Sequence, residues 1–349
     1  MKIAVTYSSK EGLLKEYHNR HNNGNNGHDI PPDFFAEGDS YETIRAIMNA
    51  IETGGHEVAG IEADDTAPQK LDQARPDLVF NIAEGLFGDF RESYVPLACE
   101  RLGLRYTGSD PLTLAICLNK ARTKEILNFH SIPTPAWRVV YPYQNCDLTD
   151  FPYPAIIKPV AEGSSKGIFN DSLVNNAADA RQKIEMSFKK YNEPVIIEKF
   201  LEGDEFTIAI WGNGTETEIL PIVAINYHDL PEGANPIYSY EAKWIWDTPE
   251  KPLEIFNCPA SLTYLRRRNI EDVVRDTYRV MHIKDWCRID IRMDDQGIPH
   301  ILELNPLPGI LPNPEDNSCF PKAARTQGYS YEQMLNKVIE IACKRYQTL

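Results

Sequence analysis

The chain has no cysteine pattern that would hold a metal or a disulfide framework. Its seven cysteines (Cys99, Cys117, Cys146, Cys258, Cys287, Cys319 and Cys343) are odd in number, scattered and never spaced CxxC. They read as small core side chains in a reducing cytoplasm. No stretch approaches the roughly 18 apolar residues of a membrane span. Met1-Lys2-Ile3-Ala4-Val5-Thr6-Tyr7 runs straight into a strand-like segment with no long apolar leader, so a cytoplasmic protein is expected. Basic excess is also missing. The net charge of −15 excludes non-specific binding to nucleic acid or to an anionic membrane, and any anionic substrate must be gripped by local cations in an acidic body. There are no internal repeats and no Walker A sequence. At 349 residues the chain exceeds one ordinary hydrophobic core, so two or three domains are expected.

Hydrophobic periodicity in the first third alternates between strand and helix. Residues 2–7, 56–61 and 77–82 read as strands. Ser40 is a good N-cap for a helix over 41–51, with Thr43 in place of the capping-box acid and Gly54-Gly55 beyond its end. A second helix is expected over 92–102. The pattern predicts a small parallel sheet with crossover helices, and Glu84-Gly85-Leu86-Phe87-Gly88 falls at the C-terminal end of its third strand, where open α/β sheets bind ligands. Residues 10–33, polar and rich in Asn, Gly and His, read as an exposed loop. A metal-binding tract at His18, His21 and His28 lacks any supporting Cys or carboxylate spacing.

A second unit opens at Asn119 with a helix over 120–129, strands near 137–141 and 155–158, a helix near 177–189 and a strand over 195–200. The third unit alternates from 206 to 211 and from 218 to 225, with a helix near 270–281 and a closing helix over 331–346. Between these last helices, Arg288-Ile289-Asp290-Ile291-Arg292 and Ile301-Leu302-Glu303-Leu304-Asn305 each alternate polar and apolar residues around the turn signal Asp294-Asp295-Gln296-Gly297. Paired as a hairpin, they project Arg288, Asp290, Glu303 and Asn305 from one side. Two carboxylates and an amide oxygen suit a hard divalent cation such as magnesium, which shares its ligands with substrate phosphates. The alternative is an ordinary charged hairpin face. Pro306-Leu307-Pro308-Gly309 then brings backbone next to that face.

Two further segments could handle ATP. Glu162-Gly163-Ser164-Ser165-Lys166-Gly167, just after Lys158-Pro159, is a loop whose backbone N–H groups can approach phosphate oxygens. Val195-Ile196-Ile197-Glu198-Lys199-Phe200-Leu201 runs into the polar hinge Glu202-Gly203-Asp204-Glu205, which offers backbone groups to an adenine edge and a carboxylate to ribose hydroxyls. Read blandly, these are a turn and an interdomain linker.

Taken together, these segments resemble the ATP-grasp superfamily and, within it, the D-alanine–D-alanine ligase family. The resemblance is carried by Tyr106-Thr107-Gly108-Ser109-Asp110-Pro111, Asn119-Lys120-Ala121-Arg122-Thr123-Lys124, Ile132-Pro133-Thr134-Pro135, Lys158-Pro159 with Glu162-Gly163-Ser164-Ser165, the hinge through Thr207, Tyr240-Glu241-Ala242-Lys243, Arg288-Ile289-Asp290 and Glu303-Leu304-Asn305-Pro306-Leu307-Pro308-Gly309. They occur in the family's order over nearly the whole chain. The resemblance implies a mixed α/β and α+β fold: an N-terminal parallel α/β domain (1–118), then two α+β units (119–200 and 201–349) that sandwich ATP. It implies an ATP-dependent carboxylate–amine ligase working through an acyl phosphate.

By similarity, Lys120 and Lys158 hold ATP phosphates, Ser164 and Ser165 lie on the closing loop, Glu198, Lys199, Phe200 and Leu201 frame adenine, and Glu205 takes the ribose. Lys243 reaches the γ-phosphate. Asp290, Glu303 and Asn305 bind two magnesium ions, or manganese in their place, while Arg288 and the Gly309 backbone stabilise the oxyanion. Glu84 and Ser318 are substrate candidates. The implied partners are a small carboxylate and an amine, and homodimers are common in the family.

The departures from the family all touch the amino-acid pockets. The first-strand turn lacks the family's ammonium-binding glutamate at the matching spacing, although Glu11 and Glu16 lie nearby. Trp244 replaces a tyrosine after the loop lysine, Asn81-Ile82-Ala83-Glu84-Gly85 replaces a histidine-glycine pattern, and extra residues (311–317) precede Ser318. The expected first substrate is therefore an amino acid or amino-acid-like acid other than D-alanine. The rivals are a true D-alanine–D-alanine ligase and a non-catalytic nucleotide-binding regulator, which would have no use for an oxyanion-stabilising arginine.

Overall fold

The structure, a computed structural model, describes residues 1–21, 30–142, 146–247 and 253–347. His28 and the Asn/Gly run before it lie outside the described residues. Strands β1 (Lys2–Tyr7), β2 (Glu57–Glu62) and β3 (Leu78–Asn81) form a parallel sheet in the order β2-β1-β3. β1 and β3 read as unbroken apolar runs because both faces are covered. Ile3, Val5, Leu78 and Phe80 enter one core, and Ala4 and Val79 another.

The segment after β1 corrects the sequence reading. Helix α1 (Lys10–His21) stands where an exposed loop was expected. Its amphipathic signal is weak, and local polar contacts compensate: Gly12 N–H donates to Ser9 Oγ (2.9 Å), and Glu16 pairs with Arg20 one turn on (2.9 Å). Helix α2 (Tyr41–Glu52) follows, with Thr43 N–H donating to Ser40 Oγ (3.1 Å) and Ile44, Ile47 and Ile51 buried on one face. Helices α3 (Ala67–Ala74) and α4 (Tyr94–Leu102) complete this layer. α5 (Pro111–Leu118), unforeseen in the sequence, is opened by Asp110 as N-cap and Pro111 at its first position. α6 (Lys120–Phe129) follows at once, capped by Asn119.

The second sheet is antiparallel, in the order β4 (Trp137–Val140), β7 (Val195–Lys199), β5 (Ala155–Pro159), β6 (Leu173–Val174), with α7 (Ala177–Tyr191) on one face. The third sheet joins β8 (Glu205–Trp211), β9 (Glu218–Ile219), β10 (Val223–Ile225), β11 (Phe256–Asn257), β12 (Trp286–Met293) and β13 (Pro299–Asn305) in the order β11-β10-β8-β12-β13, with β9 also on β8. Leu220-Pro221 splits the single strand expected over 218–225, because proline cannot continue the ladder. α8 (Tyr240–Trp244), α9 (Tyr264–Val280), α10 (Cys319–Gln327) and α11 (Tyr331–Gln347) complete the chain. Among the described residues no helix is long and apolar enough to cross a membrane.

One core ties the ends of the chain together. Ile3, Phe80, Trp211, Trp286, Phe320 and Met334 belong to the same buried cluster, so the N-terminal sheet is packed directly against the third sheet and the last two helices. A polar lock lies beside it. Asp285, fully buried, accepts from Arg345 Nη2 (2.8 Å) and Nε (3.0 Å), from the Gly108 N–H (2.8 Å) and from Asn213 Nδ2 (2.8 Å). A buried carboxylate deprived of its guanidinium is costly. Arg345→Ala is therefore expected to lower stability by about 3 kcal/mol, read as a shift of the urea midpoint.

Candidate active site

The β12–β13 hairpin sets the site's register. Arg288 lies opposite Asn305 and Asp290 opposite Glu303, and the pairing then slips, so that Ile291 faces Ile301. This bulge leaves Leu302 as the extra residue. It lets Ile301 and Leu304 share the interior while Leu302 and Glu303 line the cavity. Arg288 grips Asp290 through a fork, Nε–Oδ1 at 3.1 Å and Nη2–Oδ2 at 2.9 Å, and Asn305 Nδ2 donates to Asp290 Oδ2 at 3.2 Å.

Lys120, at the first position of α6, reaches across to Glu303 (3.1 Å) and donates to the Glu162 carbonyl (2.5 Å). Burial raises the pKa of Glu303, but the charges of Lys120, Lys158 and Arg288 outweigh it and hold the carboxyl below its ordinary range. No group of three or more His, Cys, Asp or Glu side chains converges as a metal site among the described residues. The hairpin offers two carboxylates and one amide, a hard oxygen set that fits a cation completing its shell with phosphate and water.

A second charged knot lies under the hinge. Glu198 on β7, fully buried, pairs with Lys158 on β5 (2.9 Å) and with Lys124, one turn beyond Lys120 on α6 (3.3 Å). Burial disfavours the Glu198 carboxylate, yet the two ammonium groups outweigh it and lower its pKa, while burial draws Lys124 down to about 8. The sequence reading placed Glu198 with Lys199, Phe200 and Leu201 at the adenine edge. All of these line the cavity, but the Glu198 carboxylate is turned to lysines. Nothing in the sequence around Lys124 marks it as a partner of Glu198, which lies on a different element. Glu205, the ribose candidate, pairs with Arg292 (2.8 Å), whose guanidinium lies 4.2 Å from the centre of the Phe200 ring. Arg292 was likewise overlooked.

The loop over 163–170 contributes Ser164, Ser165 and Ile168 to the cavity wall. Ser164 and Ser165 take φ of 50° and 61°, left-handed values that cost a non-glycine residue of the order of 1 kcal/mol each. Contacts hold them there. Ser165 Oγ donates to the Tyr238 carbonyl (2.8 Å), and Lys243 Nζ lies 3.4 Å from Ser164 Oγ. Trp244 Nε1 donates to the Ser164 carbonyl (3.3 Å). The tryptophan that stands in place of the family's tyrosine thus makes its own bond to this loop through its indole N–H. Burial and the neighbouring Arg288 draw Lys243 down to about 8.

The other anchor of this loop was not seen in the sequence. Glu37 accepts from the Gly163 N–H (2.8 Å) and from Arg91 Nη2 (2.6 and 2.8 Å); Arg91 also reaches Glu162 (3.3 Å), which pairs with Lys166 (2.7 Å). Burial raises Glu37, but Arg91 and Lys166 prevail and lower its pKa. No sequence spacing links residues 37, 91 and 162, because three separate elements bring them together. Of the amino-acid pocket candidates, Glu84 and Ser318 both line the main cavity. Ser318 Oγ donates to the Gly309 carbonyl (3.1 Å) and accepts from the Leu311 N–H (3.1 Å), so it braces the Gly309 turn.

The main cavity, of about 290 Å³, runs from the hinge at Phe200 and Leu201 past Lys158 and Glu303 to Asp39 and Trp244. A smaller pocket, of about 60 Å³, lies between Lys120, Asn305 and Glu92. Glu84, Ser164, Lys243, Arg288, Glu303 and Gly309 line both.

Comparison with known proteins gives these features a context. A family model described as the D-ala D-ala ligase C-terminus matches residues 130–340. The chain is 32% identical over 307 residues to a D-alanine–D-alanine ligase of Glaesserella parasuis, covering 87% of this chain and 93% of that protein. It is 30% identical over 305 residues to the D-alanine–D-alanine ligase of Actinobacillus succinogenes (85% and 91%), and 30% identical over 311 residues to an uncharacterised protein, y4sG, of Sinorhizobium fredii (86% and 87%). In fold it is similar to the crystal structure of D-alanine–D-alanine ligase from Bacillus anthracis complexed with ATP, with a TM-score of 0.74, 20% identity and coverage of 100% and 99%.

Where Asp39 lines the cavity, burial pushes its carboxyl up to about 7, against the pull of Lys10 and with help from Glu62. Its unfolded value is near 4, so the native state holds an extra proton between about pH 4 and 7 and loses stability as pH rises through that window. Asp39→Asn carries no such charge. It is expected to raise the urea midpoint by more at about pH 8 than at about pH 5.

Proposed function

Because the chain belongs to the D-alanine–D-alanine ligase family, and is accordingly an ATP-dependent ligase that forms a carbon–nitrogen bond, we propose that its cavity joins an amino acid, or an amino-acid-like acid, to an amine through an acyl phosphate. Three units, 1–118, 119–200 and 201–349, build the site. Lys120, Lys158 and Lys243 face the phosphates, with Ser164 and Ser165 above them. Residues 198–201 frame adenine and Glu205 takes the ribose. Asp290, Glu303 and Asn305 hold two magnesium ions, or manganese in their place, which would screen the phosphate charge from an approaching carboxylate. The acid's carboxylate attacks the γ-phosphate and ADP leaves; the amine then displaces phosphate. Arg288 and the Gly309 backbone face the oxygen on which charge builds.

The observation that carries this reading is the shared wall of the two cavities. Lys243, Arg288 and Glu303 line both, so a mixed anhydride formed in one is open to a nucleophile in the other. The closed loop over 163–170 supports it, since an acyl phosphate survives only where water is kept out. A homodimer is in keeping with exposed Phe90, Leu97 and Leu112 on the N-terminal unit, and a cytoplasmic setting with seven unpaired cysteines.

For the acid, the reading is a substrate other than D-alanine. Glu37, the carboxylate beside the first strand's turn, is committed to Arg91 at both oxygens, which leaves it no free charge for a substrate ammonium. The second reading, a true D-alanine–D-alanine ligase, is favoured by the names of relatives at 30 and 32% identity.

The test is ADP release with MgATP across a panel of L- and D-amino acids, with hydroxylamine trapping the activated acid. An acid-dependent signal in the panel supports the ligase reading, and D-alanine-dependent release without hydroxylamine selects the second reading. Glu303→Gln is expected to lower acid-dependent ADP release by at least about a hundredfold with an unchanged circular-dichroism spectrum. Full turnover in that variant removes Glu303 from the metal site.

A further inference from the structure

Several charged side chains around the two cavities have an opposite partner: Lys120 with Glu303, Lys158 with Glu198, Arg288 with Asp290, and Glu37 with Arg91. Glu84 is different. It sits just past β3, at the sheet end where α/β folds bind ligands, and lines both cavities. Its carboxyl makes no hydrogen bond or ion pair with any described residue. Its charged surroundings come from three segments: Glu37 and Asp39 before α2, Arg91 and Glu92 before α4, and Lys243 on α8. Glu92, in the smaller pocket, likewise has no partner among the described residues. Both side chains are partly buried, and both face a cavity rather than another side chain. An unpaired carboxyl on the wall of a reaction cavity invites a cationic ligand.

Of the two substrates, only the amine must arrive as a cation and lose a proton before it reacts. We propose that Glu84 receives the ammonium group of the amine substrate at the junction of the two cavities and takes its proton, which makes Glu84 a catalytic residue of the nucleophile side. This rests on the ligase reading above. The steps balance. The Glu84 carboxylate takes one proton from the ammonium, leaving a neutral amine and a carboxylic acid. The nitrogen lone pair attacks the acyl-phosphate carbonyl carbon, and the carbonyl π electrons move to the oxygen beside Arg288. Collapse expels phosphate with the bonding pair, and the nitrogen's surplus proton leaves with it. Burial and the charge of Glu37 raise the pKa of Glu84 well above the ordinary carboxylate range, which brings it closer to that of an amine and eases the transfer.

The experiment compares two nucleophiles on one activated acid. Hydroxylamine is largely neutral at neutral pH and needs no proton acceptor before attack, whereas primary amines are protonated. Wild type and Glu84→Gln are supplied with MgATP, the amino acid that gives most hydroxamate, and either hydroxylamine or a panel of amino acids and alkylamines. Hydroxamate is read by its ferric complex and amide by mass. The expected result is a ratio of amide to hydroxamate that falls at least about a hundredfold in Glu84→Gln and is partly restored in Glu84→Asp. An unchanged ratio overturns the assignment, whether both products persist or both fall together. So does a wild-type enzyme that makes hydroxamate but accepts no primary amine. A wild-type enzyme that makes neither product counts against the ligase reading itself, and is told apart by the absence of acid-dependent ADP release.

Discussion

The site is organised around matched charges. In a chain of net charge −15, many of the cations in and beneath the cavity wall are held by carboxylates: Lys120 by Glu303, Lys158 and Lys124 by Glu198 and Arg292 by Glu205, each from another element, and Arg288 by Asp290 on its own strand. A buried ammonium alone would cost several kcal/mol, and so would a buried carboxylate alone. In the proposed reaction, a nucleotide and its metal enter as a similarly matched set. Phosphates would take over the lysines, and Glu303 and Asp290 would hold the ions, so the exchange would desolvate no charge without a replacement. The same logic isolates Glu84, the carboxyl at the junction of the cavities with no counter-charge of its own.

Mechanical coupling follows from where these pairs sit. The loop over 163–170 carries two serines in left-handed conformations, and neither would persist without support. That support comes from both sides. Glu37 and Arg91 of the N-terminal unit hold Gly163 and Glu162, while Tyr238, Lys243 and Trp244 of the third unit hold Ser164 and Ser165. A movement of either segment therefore reaches the loop over 163–170 directly. The Trp244 bond to the Ser164 carbonyl keeps this clasp with a side chain the family pattern does not use there.

Much of the fold could be read from the chain because local chemistry enforced it. Ser40 and Asn119 cap the helices expected after them, and the unbroken apolar runs of β1 and β3 reflect a sheet covered on both faces. Helix α1 escaped notice because its hydrophobic period is weak and its stability lies in polar contacts. α5 was hidden by its brevity, and α10 followed a stretch read only as an insertion.

At the site, residue types and their order along the chain were determined by the sequence alone: lysines at 120, 158 and 243, an acidic pair at 290 and 303, a glycine-serine loop at 163–165. Simple alternation would place Ile301, Glu303 and Asn305 on one face. Only the bulge at Leu302 sends Ile301 into the core while Glu303 turns to the cavity. The pairing of Glu37 with Arg91, the turn of Glu198 toward two lysines and the unpaired state of Glu84 were likewise decided by tertiary structure. The physical reason is that periodicity and capping act over a few residues of one element, whereas a buried charge takes its partner from whichever element packs against it, however distant in sequence.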